Sequence, residues 1–92
     1  MSRVLVDNLS VHIAPSVQSP ITGYLNKDYI IRSGDLLIEC SECRWLRYRN
    51  FNGQYRYVCH SCSPDCPQFF IEEAPGIKLI YVQDCSKYAE YC

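Results

Sequence analysis

Two cysteine pairs, Cys40-Ser-Glu-Cys43 and Cys59-His-Ser-Cys62, frame the stretch of sequence that decides the fold. Fifteen residues separate them: Arg-Trp-Leu-Arg-Tyr-Arg-Asn-Phe-Asn-Gly-Gln-Tyr-Arg-Tyr-Val. A C-x2-C turn presents two thiolates to one side of a metal ion, and Zn²⁺ takes four such ligands in a tetrahedron. The spacing therefore predicts one structural zinc ion, with Cys40, Cys43, Cys59 and Cys62 as its ligands.

The residues between the cysteine pairs have the pattern of a β-hairpin. Two aromatic-rich, alternating segments, 44–49 and 55–58, flank the dipeptide Asn52-Gly53. Asn-Gly between two such segments is a strong signal for a hairpin turn. A hairpin that starts at one cysteine pair and ends at the other would bring the four sulfurs together.

Residues 40–62 resemble a zinc ribbon, the module found in polymerase subunits, transcription factors and ribosomal proteins. The resemblance covers about a quarter of the chain and implies the same four zinc ligands. Two features depart from the usual pattern: Arg44 and Ser63 stand where a glycine often follows each cysteine pair, and Cys66 follows closely. A zinc ribbon implies a fold and a metal site, and no particular activity.

Disulfides are the alternative use for the cysteines. The chain has seven cysteines in 92 residues, an odd number that cannot pair completely within one molecule. The first residues lack the apolar run of a secretion signal, and no stretch reaches the ~20 apolar residues of a membrane span. We therefore expect an intracellular, reducing compartment (cytoplasm or nucleus), where cysteine pairs are more often metal ligands.

The remaining cysteines leave several interpretations open. Cys66 or His60 could replace one of the four ligands, and Cys85 could be a small buried hydrophobe. Cys66, Cys85, Cys92 and His12 together could form a second metal site.

The rest of the chain predicts a small, mostly β fold. The apolar runs 29–32 and 36–39, separated by Ser33-Gly34-Asp35, predict a hairpin that leads into Cys40. Runs 69–71 and 77–82 predict strands around Pro75-Gly76. Residues 14–23 combine two prolines, a glycine and small polar residues, which predicts a loop or extended arm. The predicted division of the chain is an N-terminal strand and extended arm (1–28), a zinc-ribbon β domain with flanking strands (29–82) and a C-terminal tail (83–92).

Positive charge is concentrated on the cysteine-framed segment. Residues 40–62 carry four arginines and one glutamate, whereas residues 1–39 and 63–92 are both net acidic. An even-numbered turn would put Trp45, Arg47, Arg49, Arg56 and Val58 on one face, with Phe51 near the tip, and Leu46, Tyr48, Tyr55 and Tyr57 on the other. A three-residue loop would interleave the two sets. The candidate residues for binding nucleic acid or a protein partner are Trp45, Arg47, Arg49, Phe51 and Arg56.

Arginine and aromatic side chains together suit phosphate contact and base stacking. Alternatively, the arginines could lie over aromatic rings or pair with Glu72, Glu73 and Asp84.

No nucleophile, acid–base or phosphate-loop motif occurs, so we expect a protein that is not an enzyme and has no small-molecule substrate. The expected function is a zinc-binding accessory subunit of a nucleic-acid-handling assembly of the transcription type. The alternative is a zinc-stabilised structural or protein-interaction component of a larger particle, such as a ribosome or virion. Either function implies a protein assembly as partner, without a membrane.

Overall fold

The computed structural model describes residues 2–16, 18–39, 43–62, 68, 69, 71 and 76–82, and for residues 43, 62, 68 and 69 it describes the backbone. The fold is small and mostly β, as the sequence predicts. The described residues form nine strands and no helix: β1 Ser2–Arg3, β2 Leu9–His12, β3 Ile21–Leu25, β4 Ile30–Ile31, β5 Leu36–Glu39, β6 Cys43–Arg49, β7 Tyr55–Cys62, β8 Gln68–Phe69 and β9 Lys78–Tyr81.

Most strands belong to one mixed sheet. Its order is β3-β2-β7-β6-β5-β9, with β8 paired to β7 beside this path, and β1 and β4 form a separate pair. The β5–β9 pairing is parallel and the other named pairings are antiparallel. The hairpin predicted between the cysteine pairs is confirmed as β6 and β7.

The predicted hairpin of runs 29–32 and 36–39 is wrong. Strand β4 pairs with β1, whereas β5 is hydrogen-bonded to β6 on one side and β9 on the other. The connection is held against the end of β6, because the backbone N–H of Asp35 donates to the carbonyl oxygen of Arg47 at 3.1 Å and the Ser33 hydroxyl donates to that of Arg49 at 2.6 Å. The apolar pattern identified the segments and not their partners.

The N-terminal segment forms part of the main sheet. Strand β2 pairs with β7, with Val11 opposite Val58 and His12 opposite Tyr57. Strand β3 begins at Ile21, within the stretch 14–23 that the sequence predicts as loop or arm, and pairs with β2. The predicted tail, 83–92, lies outside the described residues.

Both faces of the β6–β7 hairpin bury apolar side chains. One face, which we call the core face, carries Leu46, Tyr48 and Val58, each at most 7% exposed. They pack with Val4, Leu9, Val11, Ile31 and Ile71. On the opposite face, Trp45 and Tyr57 pack with Leu36 and Ile38 of β5. The described part of the chain contains no helix long and apolar enough to cross a membrane.

Candidate metal centre and hairpin surface

Local hydrogen bonds shape the tip of the β6–β7 hairpin. The backbone N–H of Asn50 donates to the carbonyl oxygen of Gln54, and the N–H of Gly53 donates to that of Asn50, both at 2.9 Å. The Oδ1 atom of Asn50 also accepts the N–H groups of Asn52 and Gln54 at 3.0 Å. Gly53 has φ +78°, a left-handed conformation that favours glycine. The result is a three-residue loop, 51–53, closed by a glycine, which is a common hairpin connection.

The odd loop length sets the register of the hairpin. Arg49 lies opposite Tyr55, Arg47 opposite Tyr57, and Tyr48 opposite Arg56. Side chains directly opposite each other share a face of the sheet. The prediction that Arg56 shares a face with Arg47 and Arg49 is therefore wrong, because it assumed an even-numbered turn.

Arg47 and Arg49 both lie over the ring of Tyr55, and Arg47 pairs with one acid. The Arg47 guanidinium binds Asp35 through two hydrogen bonds, Nε–Oδ1 and Nη2–Oδ2, both 3.0 Å long. Its Cζ lies 4.2 Å from the centroid of the Tyr55 ring, and the Cζ of Arg49 lies 4.8 Å from the same centroid. We call the face that carries Arg47, Arg49, Tyr55, Trp45 and Tyr57 the ladder face. The predicted cation–π alternative thus applies to both arginines, with Asp35 as the acidic partner of Arg47.

Arg49 is the exposed cation at the outer end of the ladder face. Its Nη2 donates to the Tyr55 hydroxyl at 2.8 Å. This hydrogen bond, together with the charge interaction with Tyr55, raises the pKa of the Arg49 guanidinium above its ordinary value. The hydrogen bond holds the guanidinium beside Tyr55.

Arg56 lies on the margin of the core face. Its Nη2 donates to Oε1 of Gln54 at 3.0 Å, and its Nη1 donates to the carbonyl oxygen of Tyr55 at 2.7 Å. Burial is the main cause that raises the pKa of the neighbouring Tyr48 hydroxyl, while the charge of Arg56 opposes the rise.

The five predicted contact residues therefore divide into two groups. Phe51, at the tip, is 97% exposed, and Arg49 and Arg56 lie near the tip on opposite faces of the hairpin. Trp45 is only 2% exposed, with its ring edge-to-face with His12 at 5.4 Å, so it does not belong to the presented surface. Arg47 is committed to Asp35.

At the other end of the hairpin, the register aligns the two cysteine pairs. Cys43 lies directly opposite Cys62, and Cys59 lies opposite Trp45. Between these pairings β7 contains one extra residue, a β-bulge at His60. Positions three apart on a regular strand belong to opposite faces of the sheet, but one bulged residue between them puts both on the same face. The backbone positions 59 and 62 therefore belong to the same face, which is also the face of position 43.

Strand β5 ends beside the start of β6. Glu39, the last residue of β5, lies opposite Arg44, and their side chains form an ion pair of 3.0 Å. Cys40 lies outside the described residues, but consecutive Cα atoms are about 3.8 Å apart, so the covalent chain keeps it next to Glu39.

Of the four predicted zinc ligands, Cys59 has a described side chain. Cys59 is half-buried and packs beside Trp45, whereas the side chains of the other three predicted ligands lie outside the described residues. Among the described side chains, no three His, Cys, Asp or Glu residues could hold a metal ion together. Cys66, Cys85 and Cys92, the alternatives for a second site, also lie outside the description.

The two histidines occupy buried positions. The Nδ1 atom of His12 lies 3.0 Å from the carbonyl oxygen of Ser19, a contact that links Ser19 to strand β2. His60, 2% exposed, has its Nδ1 atom 3.4 Å from the Ser61 hydroxyl.

Sequence reasoning missed the roles of Asp35 and Tyr55. A usable signal was present, because only residues 40–43 separate Glu39 from Arg44, a length typical of a hairpin connection. Pairing Glu39 with Arg44 would have placed Leu36 opposite Arg47, and hence the adjacent Asp35 close to Arg47.

Comparison of the chain with models of known protein families, with curated proteins and with solved structures found no match. The zinc-ribbon resemblance stays a sequence-based prediction.

Proposed function

We propose that this chain is a zinc-stabilised, non-enzymatic binding module, with one Zn²⁺ held by Cys40, Cys43, Cys59 and Cys62. The observation that carries the proposal is the pairing of Cys43 with Cys62, together with the bulge that brings positions 59 and 62 into phase. Without the bulge, the pleat would separate the two cysteines of the second pair. Cys40 joins them because β5 ends beside the start of β6.

Four thiolates would close the coordination shell of the zinc. Such a shell leaves no position for a catalytic water, so the metal would serve the fold. Its binding free energy would add to the folding free energy of a chain whose apolar core is small. The metal would tie β5, β6 and β7 together at the end opposite the hairpin tip.

Metal content and thiol protection test this part of the proposal. We expect protein purified under reducing conditions to contain one zinc per chain, with four thiols protected from alkylation until a chelator is added. The variant Cys62→Ser should lose the metal, whereas Cys85→Ser, outside the proposed site, should retain it. Protein that contains no metal and whose cysteines are oxidised would contradict the proposal.

We further propose that the hairpin tip makes this module an accessory subunit of a nucleic-acid-handling assembly, where it touches nucleic acid or the polymerase. Phe51 is almost fully exposed on a loop that its own hydrogen bonds hold rigid. A rigid loop loses little conformational entropy on binding. Arg49 and Arg56 lie near the tip on opposite faces of the hairpin, where they can contact phosphates while a base stacks on Phe51.

A charge-matched pair of variants tests the tip. Replacing Arg49 and Arg56 with alanine removes two positive charges beside Phe51, and replacing Lys27 and Lys78 with alanine removes two elsewhere. We expect only the first change to weaken nucleic-acid binding. It should also make the plot of log K against log salt less steep, because each lost phosphate contact removes a slope of about −0.7 for single strands and two contacts are lost. Equal effects of the two pairs, or no binding by the wild-type chain, would contradict a role for the tip.

A specific observation favours the second candidate function, a structural component of a larger particle. Asp35 neutralises Arg47, so the ladder face is less basic than its arginine count indicates. If the wild-type chain binds no nucleic acid while Phe51→Ala weakens its incorporation into a protein assembly, the second function is the correct one.

A further inference from the structure

Each face of the β6–β7 hairpin carries one arginine near the tip that forms no ion pair within the described part of the chain. Arg49 lies opposite Tyr55, and Arg56 lies opposite Tyr48, the residue before Arg49. Adjacent positions on a strand belong to opposite faces, so the two guanidinium groups lie on opposite sides of the hairpin. The other two arginines of β6 pair with acids. A partner that binds both unpaired cations must therefore pass the hairpin on both sides.

Local hydrogen bonds keep each guanidinium on its own side. The Nη2 atom of Arg49 donates to the Tyr55 hydroxyl at 2.8 Å, whereas Nη1 of Arg56 donates to the Tyr55 carbonyl oxygen at 2.7 Å. A guanidinium has five N–H groups, so both side chains retain donors for an anion. Donors that are held in place beforehand lose less conformational entropy when a partner binds. The tip can therefore make two positioned phosphate contacts, one on each side.

The residue at the tip suits stacking better than the reading of base edges. The Phe51 ring is 97% exposed and has no hydrogen-bonding atom, and the amide oxygens of Asn50 and Gln54 already accept hydrogen bonds within the tip. In a continuous duplex each base pair is stacked on both sides, so inserting a ring between two pairs costs unstacking free energy. The base pair that ends a duplex has one free face. A ring can stack there without that cost.

From this geometry we propose that the hairpin tip recognises the junction between duplex and single-stranded nucleic acid. Phe51 stacks on the last base pair, and the two strands diverge past the two faces of the hairpin. One phosphate backbone meets Arg49 and the other meets Arg56, whereas a single strand that runs over one face would meet only one of them. This inference rests on the proposed nucleic-acid function of the tip and specifies its substrate.

Binding to three substrates of equal length tests the inference. They are a forked duplex with two single-stranded tails, a duplex with one tail, and a single strand, each measured by fluorescence anisotropy. We expect the fork to bind at least about tenfold more tightly than the single strand, because only the fork supplies both backbones beside a free base-pair face. The one-tailed duplex should lie between them. A single strand that binds as tightly as the fork would overturn the inference and leave the proposed function of the tip standing.

Substitution of Phe51 tests the stacking contact. We expect Phe51→Ala to raise the dissociation constant for the fork at least about fivefold, because the aromatic platform for the last base pair is lost. Phe51→Trp keeps an aromatic ring and should retain the preference for the fork. The matched control is Tyr24→Ala, which removes a ring that is 61% exposed on β3 and should leave the constant unchanged. Circular dichroism checks that each variant is folded. A preference for the fork that persists in Phe51→Ala would contradict the stacking contact and the inference with it.

Neutral phosphate analogues show which strand each arginine contacts. Methylphosphonates placed just beyond the junction remove the charge of one tail at a time. We expect neutralising one tail to abolish the effect of Arg49→Ala and not that of Arg56→Ala, and neutralising the other tail to do the reverse, because only groups in contact are coupled. Two arginines that respond to the same tail would overturn the inference. If the wild-type chain bound none of the substrates, the proposed function of the tip would itself be wrong.

Discussion

The two faces of the β6–β7 hairpin are made by the same two strands and are stabilised by different means. The core face packs against Val4, Leu9, Val11 and Ile31, which come from segments distant in the sequence. The outer half of the ladder face is held by Asp35 and by Tyr55 within the hairpin itself. The first arrangement leaves its side chains at most 7% exposed, whereas the second keeps a cation at the surface.

This difference separates stability from recognition. Burial of a large apolar side chain contributes about 1.5–3 kcal/mol to the free energy of unfolding, whereas an exposed ion pair contributes roughly 0–1 kcal/mol. We therefore expect changes on the core face to unfold the protein, and changes on the outer ladder face to alter binding with little loss of stability.

The largest effect is expected for Leu46→Ala on the core face. Leu46 is fully buried and lies against Gly34, so the substitution leaves a cavity. We expect the free energy of unfolding to fall by about 2–5 kcal/mol, measured by urea denaturation. The control Leu79→Ala removes the same side-chain atoms at a position 47% exposed and should cost far less. Equal losses would mean that the core face is not the main source of stability.

A smaller loss of stability is expected for Gly53→Ala. This residue lies in the hairpin loop, whose length sets which side chains share a face. Gly53 has φ +78°, and alanine in this conformation is strained by about 1–3 kcal/mol. Gly23→Ala is the control, because its Cβ meets no atom within 4 Å. We expect denaturation to show a loss only for Gly53→Ala. If both variants were equally stable, the loop would not require a left-handed residue.

A still smaller effect on stability is expected for Asp35→Asn on the ladder face. The pair with Arg47 is partly exposed, so its loss should cost about 1 kcal/mol or less and should cost less at high salt. The same change releases the charge of Arg47. If the hairpin tip contacts nucleic acid, affinity should rise in a filter-binding or anisotropy titration. Unchanged affinity, together with a large loss of stability, would contradict the separation of the two faces.

The smallest effect is expected at high pH on the core face. Burial raises the pKa of Tyr48 above its ordinary value of about 10, so the folded protein favours the neutral phenol. The corresponding stability is present below pH ~10 and is lost as the pH rises through the folded-state pKa. Denaturation midpoints measured against pH should therefore fall less steeply for Tyr48→Phe than for the wild type. Tyr24→Phe, at an exposed position, should follow the wild-type curve.

Part of the hairpin could be predicted from the sequence. The Asn52-Gly53 dipeptide and the alternating segments around it predict the turn and both strands, because these signals act over a few residues. The face assignment failed at the next step. A change of one residue in loop length moves every side chain of a strand to the other face. The hydrogen bonds of the Asn50 side chain favour the three-residue loop, and the alternation of polar and apolar residues carries no information about these bonds.

The candidate site divides in the same way. The spacing of the cysteine pairs placed them together at the open end of one hairpin, opposite its tip, and the register of Cys43 and Cys62 agrees with this placement. The bulge at His60 was not predicted, because nothing in the residue pattern of 59–62 requires it. The burial of Trp45 was also missed, since a tryptophan on a strand fits an exposed binding face and a core equally well.

The sequence by itself determined the mostly β class, the hairpin between the cysteine pairs and its Asn-Gly turn, because each depends on neighbours in the chain. Only the tertiary structure decided that β5 pairs with β6 and β9, that β2 and β3 join the main sheet, and which arginines share a face. These features depend on pairings between segments far apart in sequence, and period-two patterns are compatible with several such pairings. The choice among them is made by the combined burial of Leu46, Val58 and their distant partners.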